Sequence, residues 1–402
     1  MAKSEANILI ESGLPLFFKL ANAGEDLIAP PANRIGDALS TWVRSLSVMQ
    51  KEAIVVSGRT GAAWRLASDE GGYLAGHDAA PCPLAFLTVG MIASYANEVE
   101  ALARQRGIAI RGLRLSQDNH YAMAGSLLKG TLFGEALPAE LDVEIDCDAE
   151  AGAIHELVLS AVAASPLNGL LRGALTSRFT LAHNGKELAP VNVAALGRPI
   201  LPDPGDRFAE AQPAEPALDH PVVWHNGSTP KGEGVPVDPG SSEMGEARRL
   251  LRLSADCTLR EDGIKEITQY LHSPLGSSFK FLSEEAPENG GQGRAPDANT
   301  LISAGIGFCF MTQFGRYVAM MKKNMEAYRI VQETHFSLGG ASGGTGKPGS
   351  AEPVETHVYL QSGEPDGFAA EILDVAEQSC FLHALCRTDL KTKVRVRAMA
   401  GG

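Results

Sequence analysis

"ANTLISAGIGFCFMTQFGRYVAMMKKNMEAYRIV", residues 298–331, reads as a buried helix with a basic last turn, followed by an alternating strand. Asn324 stands where a left-handed cap would stop the helix. Earlier in the chain "PLAFLTVGMIASYANEVEALARQRGIAIRGLRL", residues 83–115, follows the same plan, with Gly107 in the cap role. A second pair comes after each of these: "LVLSAVAASPLNGLLRGALTSRFTL" (157–181) aligns without a gap on "ILDVAEQSCFLHALCRTDLKTKVRV" (372–396). Ser94 then falls on Cys309 and Ser165 on Cys380, each pair 215 residues apart. Chance similarity between amphipathic helices seldom keeps one offset across a large insertion, so the pattern predicts a duplicated unit.

Around these helices each half reads as strands, a long helix, more strands, a second helix (154–172 in the first half) and a closing strand, which is the α+β class. The halves are separated by 197–246, a stretch rich in proline, glycine and acidic residues in which no apolar period survives. The expected organisation is therefore a first domain over 1–196, a linker over 197–246 and a second domain over 247–402.

At 402 residues and 44% hydrophobic content the chain has ample material for two ordinary cores. A net charge of −13 sets a repulsive mean field against phosphate backbones, so nucleic acid is not an expected partner. No window approaches the run of about 18–20 apolar residues needed to span a bilayer, and the start lacks the pattern of a secretory signal. The expectation is a cytoplasmic protein with no membrane partner. Six cysteines are too sparse for a disulfide framework and should rest as thiols.

Among those cysteines, Cys309 lies in an almost uncharged helix, where a buried cysteine is ordinarily an inert space-filler. The matched cysteine at Cys380 favours a reactive pair instead. Cys386 aligns with Leu171 and reads as core, Cys147 and Cys257 lie in strand-like segments, and Cys82 precedes the first helix as a candidate surface thiol. His383 is one turn from Cys380. No CxxC or HExxH spacing occurs, so neither a metal nor a bound cofactor is expected. "GGASGGTGKPGS" (339–350) fails as a phosphate loop: its glycine-to-lysine spacing is one too long and Pro348 takes the hydroxyl position. It reads as a flexible hairpin insertion.

Taken together, these motifs resemble the OsmC and organic hydroperoxide resistance family. The resemblance is carried by "PLAFLTVGMIAS", "GIAIRGLRL" and "SPLNGLLRG" in the first half and by "ANTLISAGIGFC" and "SCFLHALCRT" in the second. "SGRTG" (57–61) resembles the family hairpin that carries an arginine. Most of both halves is covered, but not the linker. The resemblance implies two OsmC-like domains, each wrapping antiparallel sheets around two central helices, paired within one chain as the family pairs its subunits. It implies a thiol peroxidase in which Cys309 attacks the peroxide and Cys380 resolves it as a disulfide, with an external dithiol as reductant.

A thiolate is the attacking species, so Cys309 needs a neighbouring cation; Arg59 is the first candidate, with Arg260 and Arg316 as rivals in the second half. Ser379 is a good N-cap and would set Cys380 in the first turn of a helix. The family glutamate, ten residues before the cysteine, falls here on Asn299, and on Leu84 in the first half. With Ser94 and Ser165 in place of both cysteines, the first half reads as catalytically silent. Two other readings stay open. One is a thiol enzyme acting on another small electrophile or sulfur compound, favoured by the extra segments at 20–45, 197–246 and 339–353; the other is a non-catalytic small-ligand-binding protein. The sequence also leaves open whether the halves pair within one chain or between two, and whether two chains associate further as a homodimer.

Overall fold

The computed structural model describes residues 6–22, 27–126, 130–230 and 249–399. Among these the chain is α+β, with two mixed sheets and seven α-helices. A single turn, α1 (Ile8–Glu11), precedes the first long helix, α2 (Pro83–Gln105), and α3 (Ala151–Ala164) and α4 (Pro166–Arg172) follow it. The second half repeats the set as α5 (Ala298–Met321), α6 (Asp366–Ser379) and α7 (Phe381–Arg387). Each of these second-half helices begins 215 residues after its counterpart, as do the strands Met325–Ser337, Glu355–Ser362 and Lys393–Ala398 relative to Ile110–Ala124, Glu140–Cys147 and Arg178–His183.

The halves exchange strands. In one sheet Ala63–Ser68, Lys51–Ser57 and Gly36–Ser45 of the first half continue into Met325–Ser337 and Glu355–Ser362 of the second, and Arg178–His183 of the first follows. The other sheet mirrors this: Ser277–Ser283, Lys265–Ser273 and Arg249–Leu259, then Ile110–Ala124 and Glu140–Cys147, then Lys393–Ala398. The joins are long antiparallel ladders, with Trp42 opposite Val331 and Asn119 opposite Leu253. Neither sheet is purely antiparallel, contrary to the sequence expectation. Glu355–Ser362 runs parallel to Arg178–His183, and Lys393–Ala398 parallel to Glu140–Cys147. Each parallel pair joins strands from different halves, so its geometry is set by the helical crossovers that deliver them and not by a hairpin.

Between the sheets α2 and α5 cross, nearly every residue of their first four turns buried. Gly90 and Gly305, equivalent at the same 215 spacing, make the crossing close. A Cβ on Gly90 would meet the Ala298 carbonyl oxygen at 2.9 Å, and one on Gly305 the Leu87 nitrogen at 2.8 Å. Small residues let backbones approach where larger ones would hold them apart.

Three other local readings change. The second helix of each half is two helices: α3 and α4 bend by 71° at Ser165, where Pro166 cannot continue the hydrogen-bond ladder. The left-handed cap of α5 is Lys322 (φ 52°), the counterpart of Gly107 (φ 68°), and not Asn324. Part of the segment read as a linker is ordered into the fold: Val223–Ser228 pairs with Ser277–Ser283, and Phe208 packs on Trp42 at 6.3 Å. Residues 231–248 lie outside the described residues. Among the described residues no single helix is long and apolar enough to cross a membrane.

The crossing makes a stability prediction. Gly305→Ala gains helix propensity but forces a Cβ onto backbone, so urea unfolding should show a net loss of about 1–3 kcal/mol. Gly152→Ala, where nothing lies within 4 Å, should stay within about 0.5 kcal/mol of the parent.

Candidate active site

One turn beyond Gly305 on α5, Cys309 points at the break between α6 and α7, where Cys380 is the last residue before α7. The sulfurs are 3.4 Å apart and both cysteines are buried, Cys309 with 2% of its surface exposed. All six cysteines are free thiols. Ser379 does not cap α7 as expected; it ends α6 and donates to the Val375 carbonyl, so Cys380 itself takes the N-cap position. The first turn of α7 still bears on the site, because the Leu382 backbone N–H acts to lower the Cys309 thiol.

Electrostatics hold Cys309 as a neutral thiol. Burial pushes it well above the ordinary cysteine range, the adjacent Cys380 adds to the rise, and the Leu382 N–H opposes it. His383 lies on the far side of Cys380, with Nδ1 3.2 Å from the sulfur. Its ring is clamped by Phe310 and Phe179 at 4.7 and 5.6 Å, and burial lowers it to about 4, so it is neutral near pH 7. Nδ1 is the ring nitrogen that meets Cys380, while Nε2 is buried without a partner.

The cation facing this pair is Arg316, two turns along α5 from Cys309. Its guanidinium donates to Gln313 Oε1 at 2.9 Å and contacts Met123 Sδ at 3.2 Å. Burial lowers its pKa, while the charges of Glu70 and Cys309 act to raise it. Gln313 links the group together, donating to the Cys309 carbonyl at 3.3 Å and accepting from the Ser379 hydroxyl at 3.4 Å. Glu70 accepts from the Tyr73 hydroxyl at 2.5 Å, and burial raises its carboxyl. Neither Glu70 nor Tyr73 was legible as a site residue, since both come from a loop of the other half.

Arg59 is elsewhere. It lines a cleft with Ser94, Asp297 and Asn299, and its Nη1 is 3.4 Å from Asn289 Oδ1. Asn299 and Cys309 are ten residues apart on one helix, a rise of about 15 Å, so the structure does not bring Arg59 to the cysteine pair. Arg260 is also remote, held by Asp262 and His220. Asn299, at the position of the family glutamate, donates to Asp37 Oδ2 at 3.0 Å. At the first-half counterpart of the cysteine pair, the Ser94 and Ser165 hydroxyls share a 2.7 Å hydrogen bond. The hairpin equivalent to "SGRTG" is "HSPLG" (272–276), which carries no arginine.

Sequence reasoning missed one further cluster. Glu333, His335 and Glu355, on neighbouring strands, bring possible ligand atoms within 4.8 Å of one another. Arg34 and Arg198 each reach Glu355 at 2.8 Å, and Arg198 also pairs with Glu333. Burial opposes ionisation of Glu355, but the two arginines overcome it and hold the carboxyl at about 2. The carboxylates are therefore already matched by guanidinium groups. Alternation along 331–335 could have flagged the polar face, but not the arginines that cover it.

No protein family and no curated protein matches this chain by sequence. Among solved structures it is similar to an OsmC-like hydroperoxide resistance protein from Jannaschia sp. CCS1, at 17% identity over 33% of this chain and 81% of that one, with a TM-score of 0.20.

The burial pattern predicts an order of alkylation. Iodoacetamide on the native protein at pH 8 should label the partly exposed Cys147 first and Cys82, read from sequence as a surface thiol but pushed up by burial, more slowly, with Cys309, Cys380, Cys386 and Cys257 reacting only in denaturant, as read by peptide mass spectrometry.

Proposed function

We propose that the chain is a cysteine-based reductase of organic or hydrogen peroxides, built from two fused OsmC-like units of which the second carries the reactive pair. The observation that supports this most is the approach of Cys309 and Cys380, 3.4 Å between sulfurs, from separate helices at positions whose counterparts are serines. In the first step the Cys309 thiolate attacks one oxygen of the hydroperoxide. The O–O bond breaks, the alcohol leaves with a proton, and Cys309 becomes a sulfenic acid. The Cys380 sulfur then attacks Cys309, the S–O bond breaks, water departs, and a disulfide forms. The two thiols supply the two electrons that the peroxide takes up, and an external dithiol restores them by exchange. Closing the disulfide brings the sulfurs from 3.4 Å to about 2.05 Å, within reach of side-chain rotation.

Arg316 is the group that favours charge on Cys309, and His383 Nδ1 is the base nearest Cys380. The Leu382 N–H adds a fixed dipole at the attacking sulfur. The Ser94 and Ser165 hydroxyls bond each other and take no part in this chemistry.

Fully reduced protein treated with cumene hydroperoxide, followed by disulfide mapping, tests the reading. A Cys309–Cys380 bond should form selectively and be lost in Cys309→Ser. Slow oxidation spread over all six cysteines would defeat it. Because Cys309 is held above its ordinary range, the rate should climb about tenfold per pH unit from pH 6 to 9 without a plateau. Arg316→Met should slow the reaction about tenfold, the effect of one pKa unit on the thiolate fraction.

A further inference from the structure

The cleft over Ser94 has a different chemistry from the cysteine pair. It opens outward into a groove of 510 Å³ between the C-terminal half of α2, the 284–292 turn and the glycine-rich 339–344 loop. Its inner end is rich in hydrogen-bond acceptors. Asn97 Oδ1 lines both parts of the cleft with no partner, on a side chain only 8% exposed. The Asn97 amide nitrogen is committed to Glu285 Oε1 at 2.5 Å, so the side chain cannot turn over without losing that bond. Glu285 receives only neutral donors, Asn97 and Asn289, the latter at 2.8 Å. Glu98 accepts from the Ala341 N–H at 2.8 Å and from the Ser342 hydroxyl, again neutral groups.

Among the described residues no lysine or arginine forms an ion pair with Glu98, Glu285 or Asp297. Arg59 is the cation at this inner end; its Nη1 donates to the Asn289 amide oxygen, and its Nε is buried without a partner. Burial, with the charges of Glu285 and Asp37, pushes the Asp297 carboxyl up to about 7. The 339–344 loop is shaped around one of these acids, since a Cβ on Gly339 would coincide with the Glu98 carboxylate. A buried acceptor without a donor costs free energy, and unneutralised buried carboxylates cost more.

We infer that this cleft binds an extended organic amine, with one ammonium group seated at Asn97 Oδ1 and Glu285 and the rest of the molecule lying along the acidic groove toward Glu288. A bare metal ion fits the site less well. The converging group of possible ligands found among the described residues is Glu333, His335 and Glu355, and none of the cleft carboxylates belongs to it. Farther out Lys265 pairs with Glu100 and Arg294 with Asp262 and Glu284, so among the described groove acids Glu285 and Glu288 are the ones without an ion pair, two carboxylates for an extended amine with charges at intervals. This inference stands apart from the thiol chemistry, because no residue of the cysteine pair lines the cleft.

Isothermal titration of the whole protein with spermidine at low salt tests it, with magnesium chloride at matched ionic strength as the control. One saturable site per chain is expected, weakened at least tenfold by Glu285→Gln and by Asn97→Leu, with magnesium failing to displace the amine. Absence of saturable heat, unchanged affinity in both variants, or displacement by magnesium would overturn it. Both variants should keep the parent's circular dichroism and its Cys309–Cys380 oxidation rate. A variant that loses its fold is replaced by Glu98→Gln, for which the same weakening is required.

Discussion

The close crossing of α2 and α5 is the constraint from which the rest of the architecture follows. Gly90 and Gly305 let the two backbones come together at equivalent points, and each helix then presents the residue one turn further on to the opposite side of the crossing. On one side that residue is Ser94, on the other Cys309. The sheets are assembled around this pair of helices from both halves, so neither half has a complete sheet without the other. A change at the crossing is therefore felt at both sites at once, because protein interiors transmit displacements that they cannot absorb.

On that shared frame the two sites differ in opposite directions. Around Cys309 the contacts are apolar or neutral, with Phe310, Phe179 and His383 packed together and the thiols closed off from water. Burial there raises the cost of charge; Arg316 and the Leu382 N–H act against that cost and Glu70 adds to it. Around Ser94 the hydroxyl pair is inert, but the surroundings are open and acidic. A thiolate would be disfavoured beside Glu98, Glu285 and Asp297, and serine avoids that conflict. The electrostatics of each cleft thus match the side chains at its floor.

Much of the framework was legible because the 215-residue offset passes intact through three helices and three strands. It located both pairs, Ser94 with Ser165 and Cys309 with Cys380, before any geometry was known. What the sequence could not give was pairing between halves. Parallel joins such as Glu355–Ser362 against Arg178–His183 leave no local signature, because neither strand's own alternation says which neighbour it meets. The break before α7 was hidden for a related reason: Pro166 announces it in the first half, but Phe381 at the matching place does not. Lys322 in the left-handed cap role likewise breaks the usual preference for glycine or asparagine, and its position is fixed by the counterpart Gly107.

The arginines illustrate most clearly why a motif does not carry its partner with it. "SGRTG" has the right residues, but its hairpin belongs to the half whose helix pair carries serines, and in the strand-exchanged arrangement it faces Ser94. The equivalent turn of the other half is "HSPLG", and near the cysteine pair the positive charge comes from Arg316 on the same helix as the thiol. An arginine on a hairpin can move with its loop and leave the sulfur. One two turns along a packed helix is fixed in distance by the helix itself, and Gln313 between them holds its guanidinium by a hydrogen bond. The charge at Cys309 is consequently a property of α5 and its burial, not of a mobile turn, and it persists as long as the crossing that buries α5 persists.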